Sequence, residues 1–430
     1  MDILTIDFGN LDAAWQWALA HGEWGAIRRM TNSLFYVAEA TGWFGLMLPF
    51  FDGAVAVLRS QQQPSSRQAV PPTAPDAENA AVIFTYLLYV KLVLFLHLGW
   101  YTQVCACLDE MRIAVQRIVM GESRQEQEFL VDHAQAGLDV DIGNYARAHA
   151  AARQQLVYLQ THDFPCYPWR AEIGTRFWQM HVHALLSGTA RRLGDYDTTA
   201  HHIHMSINLC SEIGESRFRA RNLSELAELL RLQGTYLRAA RTVREARDLS
   251  RSFRDRINAA YAVMTLGEIE LDQGSFEQAA THLQASLALA LETGEHVLHI
   301  RSLTKLARCA RMHGDLPTAR TYLDAATYAC GQPEVTGSVQ RAGIALERGL
   351  LACDEGRWHA AREHLEDALT ITGCDAAETQ ETHLGQARVA IAEHDLQQAV
   401  DLLTDILAHP ATSAATRRQA EQELSACRAS

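Results

Sequence analysis

Lysine is almost missing from this chain. Across 430 residues only Lys91 and Lys305 occur, arginine carries the remaining positive charge, and the formal net charge is −13. Such a surface repels phosphate backbones, so direct nucleic-acid binding is not expected. No C-x-x-C is present, and among nine cysteines Cys105 and Cys107 are two apart, on different faces of a helix. Scattered through apolar stripes, the cysteines behave as small hydrophobes of a reducing compartment, and a cytoplasmic location is expected. The start, MDILTIDFGN, has no basic stretch followed by an apolar core, so no secretory signal is expected. Also missing are G-x-x-x-x-G-K-[ST], H-E-x-x-H and G-x-S-x-G. Without them no phosphate-cradling loop, catalytic centre or cofactor is expected. Histidines do cluster, as His181 with His183 and as His201, His202 and His204. Residues two apart on a helix point in nearly opposite directions, and His296 with His299 lacks a third ligand, so no metal site is expected.

One apolar run, Ala80 to Leu98, approaches the ~20 residues that a membrane span requires. Lys91 lies near its middle, where a lysine costs about 3 kcal/mol in a bilayer. The run ends in Gly99-Trp100-Tyr101, a turn that recurs elsewhere, so a fully buried helix is expected and a span is not.

What the sequence has in quantity is repetition. Gly22, Gly42, Gly99, Gly143, Gly194, Gly234, Gly274, Gly314 and Gly356 each precede a Trp, Tyr, Phe or Leu by two places, and His394 replaces the glycine at a tenth turn. From Gly194 to Gly314 the interval is 40 residues each time. Glycine accepts the left-handed backbone that ends a helix. The aromatic that follows opens the next helix, and a small residue after it (Ala148, Ala239, Ala279, Ala319, Ala361) marks a close helix approach. Seven places before the turns, Ala227, Gly267 and Ala307 mark a second one. Leu283, Leu287, Ala290 and Leu291 show the three- and four-residue steps of one helix face. The fold class expected is all-α, a right-handed α-solenoid of stacked antiparallel helix pairs repeating about every 40 residues.

The L-G/A…G-x-[YF]-x-x-A step resembles the tetratricopeptide repeat, and the period resembles its longer-helix version in the sensor regions of MalT-like and other STAND signal-transduction ATPases. Near the start, Asn10, Ala13-Ala14-Trp15, Trp17-Ala18, Gly22 and Gly42 resemble the entry into such a helical array. The resemblance implies a sensor or scaffold region without ATPase or DNA-binding modules.

Two stretches interrupt the pattern. Residues 61–79, rich in Pro, Ser and Gln, read as a flexible loop between N-terminal helical repeats at 1–60 and the main array at 80–430. Thr161 to Gly174 gathers Phe164, Tyr167 and Trp169 around Pro165 and Pro168, which read as an elbow or a lip over the groove.

In such a stack the first helix of each pair lines the inner surface. Counting about thirteen, ten, six and three residues back from each turn gives His181, Ala184, Gly188 and Arg191, then Arg221, Ser224, Glu228 and Arg231. The next two sets are Tyr261, Met264, Glu268 and Leu271, and Arg301, Thr304, Arg308 and Arg311. Arginines in the groove of an acidic protein suit a peptide, a protein segment or a small anionic effector. The same arginines can instead pair with glutamates of adjacent helices. The chain therefore reads as a non-catalytic binding module of a signalling system. The alternative is an oligomerisation scaffold presenting Trp15, Trp17, Trp24, Trp43 and Phe44 to another subunit.

Overall fold

A computed structural model describes residues 2–61, 74–162, 174–331, 338–371 and 375–429. They form twenty helices, α1 (Asp2–His21) to α20 (Ala414–Ala429), and no strand among the described residues. All nine turn glycines take positive φ, and His394 takes it too at 65°. The tenth turn thus keeps the left-handed backbone that the other nine assign to glycine. A second series, Gly214, Arg254 and Gly294, bends the chain the same way between pairs. The close approaches fall where the small residues are: Ala239, Ala279, Ala319 and Ala361 are fully buried, and a Cβ on Gly267 would collide with Leu283.

Even-numbered helices lie inside. These are α8 (Gly174–Leu193), α10 (Ser216–Leu232), α12 (Arg256–Asp272), α14 (His296–Met312), α16 (Ser338–Asp354) and α18 (Ala376–Ala392), and from α8 to α20 each touches the next even one. Their N-terminal counterparts are α2 (Trp24–Thr41), α4 (Ala74–Leu98) and α6 (Glu122–Asp141). Helix α4 begins inside the stretch 61–79 expected to be a loop; residues 62–73, and the aromatic elbow at 163–173, lie outside the described residues.

The array does not stay an open trough. Helix α2 packs on α12, α4 on α14, α8 on α18 and α10 on α20, each pair ten helices apart. Five helix pairs therefore complete one superhelical turn, and successive turns touch. Gly42 abuts Thr293 and Gly194 abuts Ala411, with no room for a Cβ at either glycine. Tyr196 donates its hydroxyl to the Ala411 carbonyl at 2.8 Å, and Ser338 donates to the Ile142 carbonyl at 2.7 Å.

One core runs from Trp15 through α4 to Ile257, so the N-terminal helices share it rather than standing apart. Trp15 and Phe44 are buried in it, which corrects their expected place on a subunit-facing surface; Trp17 remains exposed. Helix α4 is long and apolar enough to cross a membrane by composition, and 78% of that window is buried within the protein. Its Lys91 pairs with Asp52 at 2.6 Å.

Seam and turn glycines differ in a way that substitution separates. At Gly274 the space that a Cβ would take is open, so Gly274→Ala costs only the left-handed backbone, about 1 kcal/mol. Gly42→Ala and Gly194→Ala add a collision between superhelical turns and cost about 3 kcal/mol or more. Urea denaturation of the three variants measures the difference.

Candidate functional site

The superhelix surrounds a cavity of about 500 Å³, partly open to solvent and lined from α2 round to α20 mainly by the even helices. Of the ten expected binding residues, His181, Arg191, Arg221, Glu228, Arg231, Tyr261, Glu268, Arg301 and Arg308 line it. Arg311 does not, nor does Leu271. Three residues before its turn, Arg311 points along the wall instead, bonding Glu347 at 3.2 Å and Asp354 at 2.9 Å on α16.

Most of these charges hold the inner helices to one another. Arg191 reaches Glu225 at 2.5 Å, Arg231 reaches Asp272 at 2.5 Å and Glu228 at 2.7 Å, and Lys305 reaches Glu268 at 2.8 Å. Arg308 reaches Glu381 at 2.5 Å and Glu347 at 3.7 Å. Their guanidinium groups stay charged because several carboxylates outweigh the desolvation that burial imposes.

Arg221 and Arg301 are different. Neither has a carboxylate within ion-pair distance among the described residues. Arg221 lies over the Phe218 ring at 5.4 Å and Arg301 over the Tyr261 ring at 5.8 Å. His181, packed 4.1 Å from the Phe218 ring and beside Trp178, is kept neutral by burial and by His133. One stretch of wall therefore combines an aromatic shelf with two cations available to a ligand.

Sequence reasoning missed the wall contributed by other turns of the superhelix. Asp141 ends α6 and faces the cavity with no partner among the described residues; burial pushes its carboxyl up to about 6, against the pull of Arg192 and His97. Glu378 and Glu381 on α18 also line it. Burial and the neighbouring Asp375 push Glu378 up to about 7. Glu381 lies thirteen residues before the tenth turn, an inner position of the same count, whereas Asp141 and Glu378 fall off that count.

Where α2 and α4 meet α12 and α14, a buried charge network borders the cavity. Arg217 bonds Glu39 at 2.9 Å and Asp255 at 2.5 Å. His97 lies 3.6 Å from Glu39 and 3.8 Å from Glu295, stacked on Phe44. Burial opposes its charged form, but the two carboxylates outweigh that and push it up to about 9. Arg217 and His97, against the effect of burial, hold Glu39 well below the usual carboxylate range.

Comparison with known proteins finds a family likeness over part of this wall. Residues 257–327 match the tetratricopeptide repeat. They span α12 to α15 (Leu316–Cys330) and carry Tyr261, Glu268, Arg301 and Arg308. No curated protein matches the chain by sequence. Among solved structures, a Rap protein complexed with competence and sporulation factor is similar at TM-score 0.59 and 11% identity, covering 93% of this chain and 99% of that one. NprR in complex with its cognate peptide NprX is similar at TM-score 0.53 and 14% identity, covering 94% of this chain and 100% of that one. A STAND protein with a tetratricopeptide repeat sensor from Pyrococcus horikoshii is similar at TM-score 0.42 and 13% identity, covering 84% of this chain and 52% of that one. At these identities the likeness is one of fold. The helix pairs at 257–327 and those around them share that architecture, with no ATPase module among the described residues.

The charged seam makes a pH prediction. Because the folded-state pKa of His97 lies above its ordinary 6.5, its stabilisation is complete below about pH 6.5 and is lost as pH rises through about 9. Stability of the wild type should fall by about 1–2 kcal/mol over that window relative to His97→Gln, in which this component of the slope disappears. Denaturant titrations at pH 6 and pH 9.5 measure it.

Proposed function

We propose that the chain is a non-catalytic binding module whose closed lumen takes a peptide, a protein segment or a small anionic effector, as the sensing part of a regulatory system. The observation that carries this is the pair Arg221 and Arg301. Within a wall of matched charges, they face the cavity without carboxylates, each backed by an aromatic ring. A 500 Å³ lumen is of ligand-pocket size and excludes a folded domain, while an extended segment fits. Two similar structures, though alike in fold only, are complexes with a factor and with a cognate peptide. A reducing cytoplasm suits buried free thiols such as Cys107, Cys210, Cys309 and Cys353. The paired residues Arg191, Arg231, Arg308, Glu228 and Glu268 then shape the lumen, while Tyr261 and His181 supply its aromatic surface. Arg311 is assigned to helix packing.

The scaffold alternative keeps less support, since Trp15 and Phe44 are interior. Isothermal titration with short acidic peptides and anionic metabolites, wild type against Arg301→Ala and Arg221→Ala, tests the lumen reading. Binding that weakens about tenfold or more in each variant, about 1.4 kcal/mol, is expected. Equal affinity in wild type and variants removes the lumen from the function.

A further inference from the structure

The lumen holds unmatched charge of both signs, kept apart. Its unpaired cations are Arg221 and Arg301, joined by Arg192, which donates to the Gly188 carbonyl at 3.0 Å and lies 5.6 Å over the Tyr145 ring. Among the described residues its unpaired anion is Asp141. Glu378 is otherwise occupied, closing a capping box with Asp375 at the start of α18. Glu39, Glu225, Glu228, Glu268, Glu347 and Glu381 all have cation partners.

These unmatched groups line one cavity together with Tyr261, which lies under Arg301 and donates a long hydrogen bond from its hydroxyl to Glu295 at 3.4 Å. Asp141 and Arg221 approach from α6 and α10 without forming an ion pair. Opposite charges along the rest of this wall find each other; left separated, these present an acceptor for an ammonium and donors for a carboxylate across one cavity.

On the reading that the lumen takes a peptide or small effector, we infer that its ligand is a zwitterion, with a free ammonium held by Asp141 and a free carboxylate held by Arg221 and Arg301. A short unblocked peptide and a single amino acid share this chemistry. The inward faces of Phe218, Tyr261 and His181 add apolar contact between the two ends.

The test uses the full chain and needs no known ligand. Four pools of random pentapeptides are presented: unblocked, N-acetylated, C-amidated and blocked at both ends. A fifth sample holds the twenty free amino acids. Retention after gel filtration is read by mass spectrometry. The unblocked pool should be retained, with either single block lowering retention tenfold or more. Retention of free amino acids in its place also supports the zwitterion and assigns it to a single residue. In Asp141→Asn the unblocked and acetylated pools should become equivalent, and in Arg301→Gln the unblocked and amidated pools should. Thermal melting confirms that both variants fold, and the wild-type comparison stands without them. Four pools retained alike would overturn the zwitterion while leaving a peptide-binding lumen intact. No retention of any sample would overturn both.

Discussion

The contact between successive turns of the superhelix is the constraint on which the rest depends. A helix pair of about 40 residues cannot cover its own apolar face, so the pairs stack. Stacking alone leaves a groove open to solvent. Here Gly42 seats on Thr293 and Gly194 on Ala411, and the groove becomes a lumen. Both glycines already had a local reason to be glycine, the left-handed turn. Their lack of a Cβ serves a second time, letting backbone from one superhelical turn press against the next.

Closure changes the electrostatics of the interior. In an open groove Arg191, Arg231 and Arg308 would be solvated surface charges of little consequence. Enclosed, each needs a carboxylate, and the wall supplies Glu225, Asp272 and Glu381 from neighbouring helices. Such pairs fix the spacing of inner helices and leave the minority of unmatched groups, Arg221, Arg301 and Asp141, as the chemically available ones.

The sequence disclosed what the 40-residue period controls. Turn glycines, the small residues at close approaches and the inner positions of α8, α10, α12 and α14 all repeat, and His394 was recognisable from its neighbours Leu396 and Ala399. The period does not encode pitch. Nothing in it says that α4 will lie on α14, so His97, Asp141 and Glu378 carried no signal as lumen residues, whereas Glu39, three places before Gly42, sits at an inner position of the same count. Nor does a position on the inner face reveal its partners, which is why Arg231 and Arg301 looked alike and are not. Of the four residues at the last inner position, Arg191 and Arg231 line the lumen while Leu271 and Arg311 do not, Arg311 being drawn to Glu347 and Asp354 on α16. Arg254 marks another limit: it holds the same left-handed backbone as Gly214 and Gly294, 40 residues on either side, without the residue type that announces it.

A double-mutant cycle on Arg217 and Glu39 tests the closure itself most directly, since these residues sit on α10 and α2 and bond at 2.9 Å only if one superhelical turn lies on the next. The closed lumen predicts a coupling energy of about 2 kcal/mol between Arg217→Ala and Glu39→Ala in denaturant unfolding. Strictly additive effects would contradict it and return the array to an open trough.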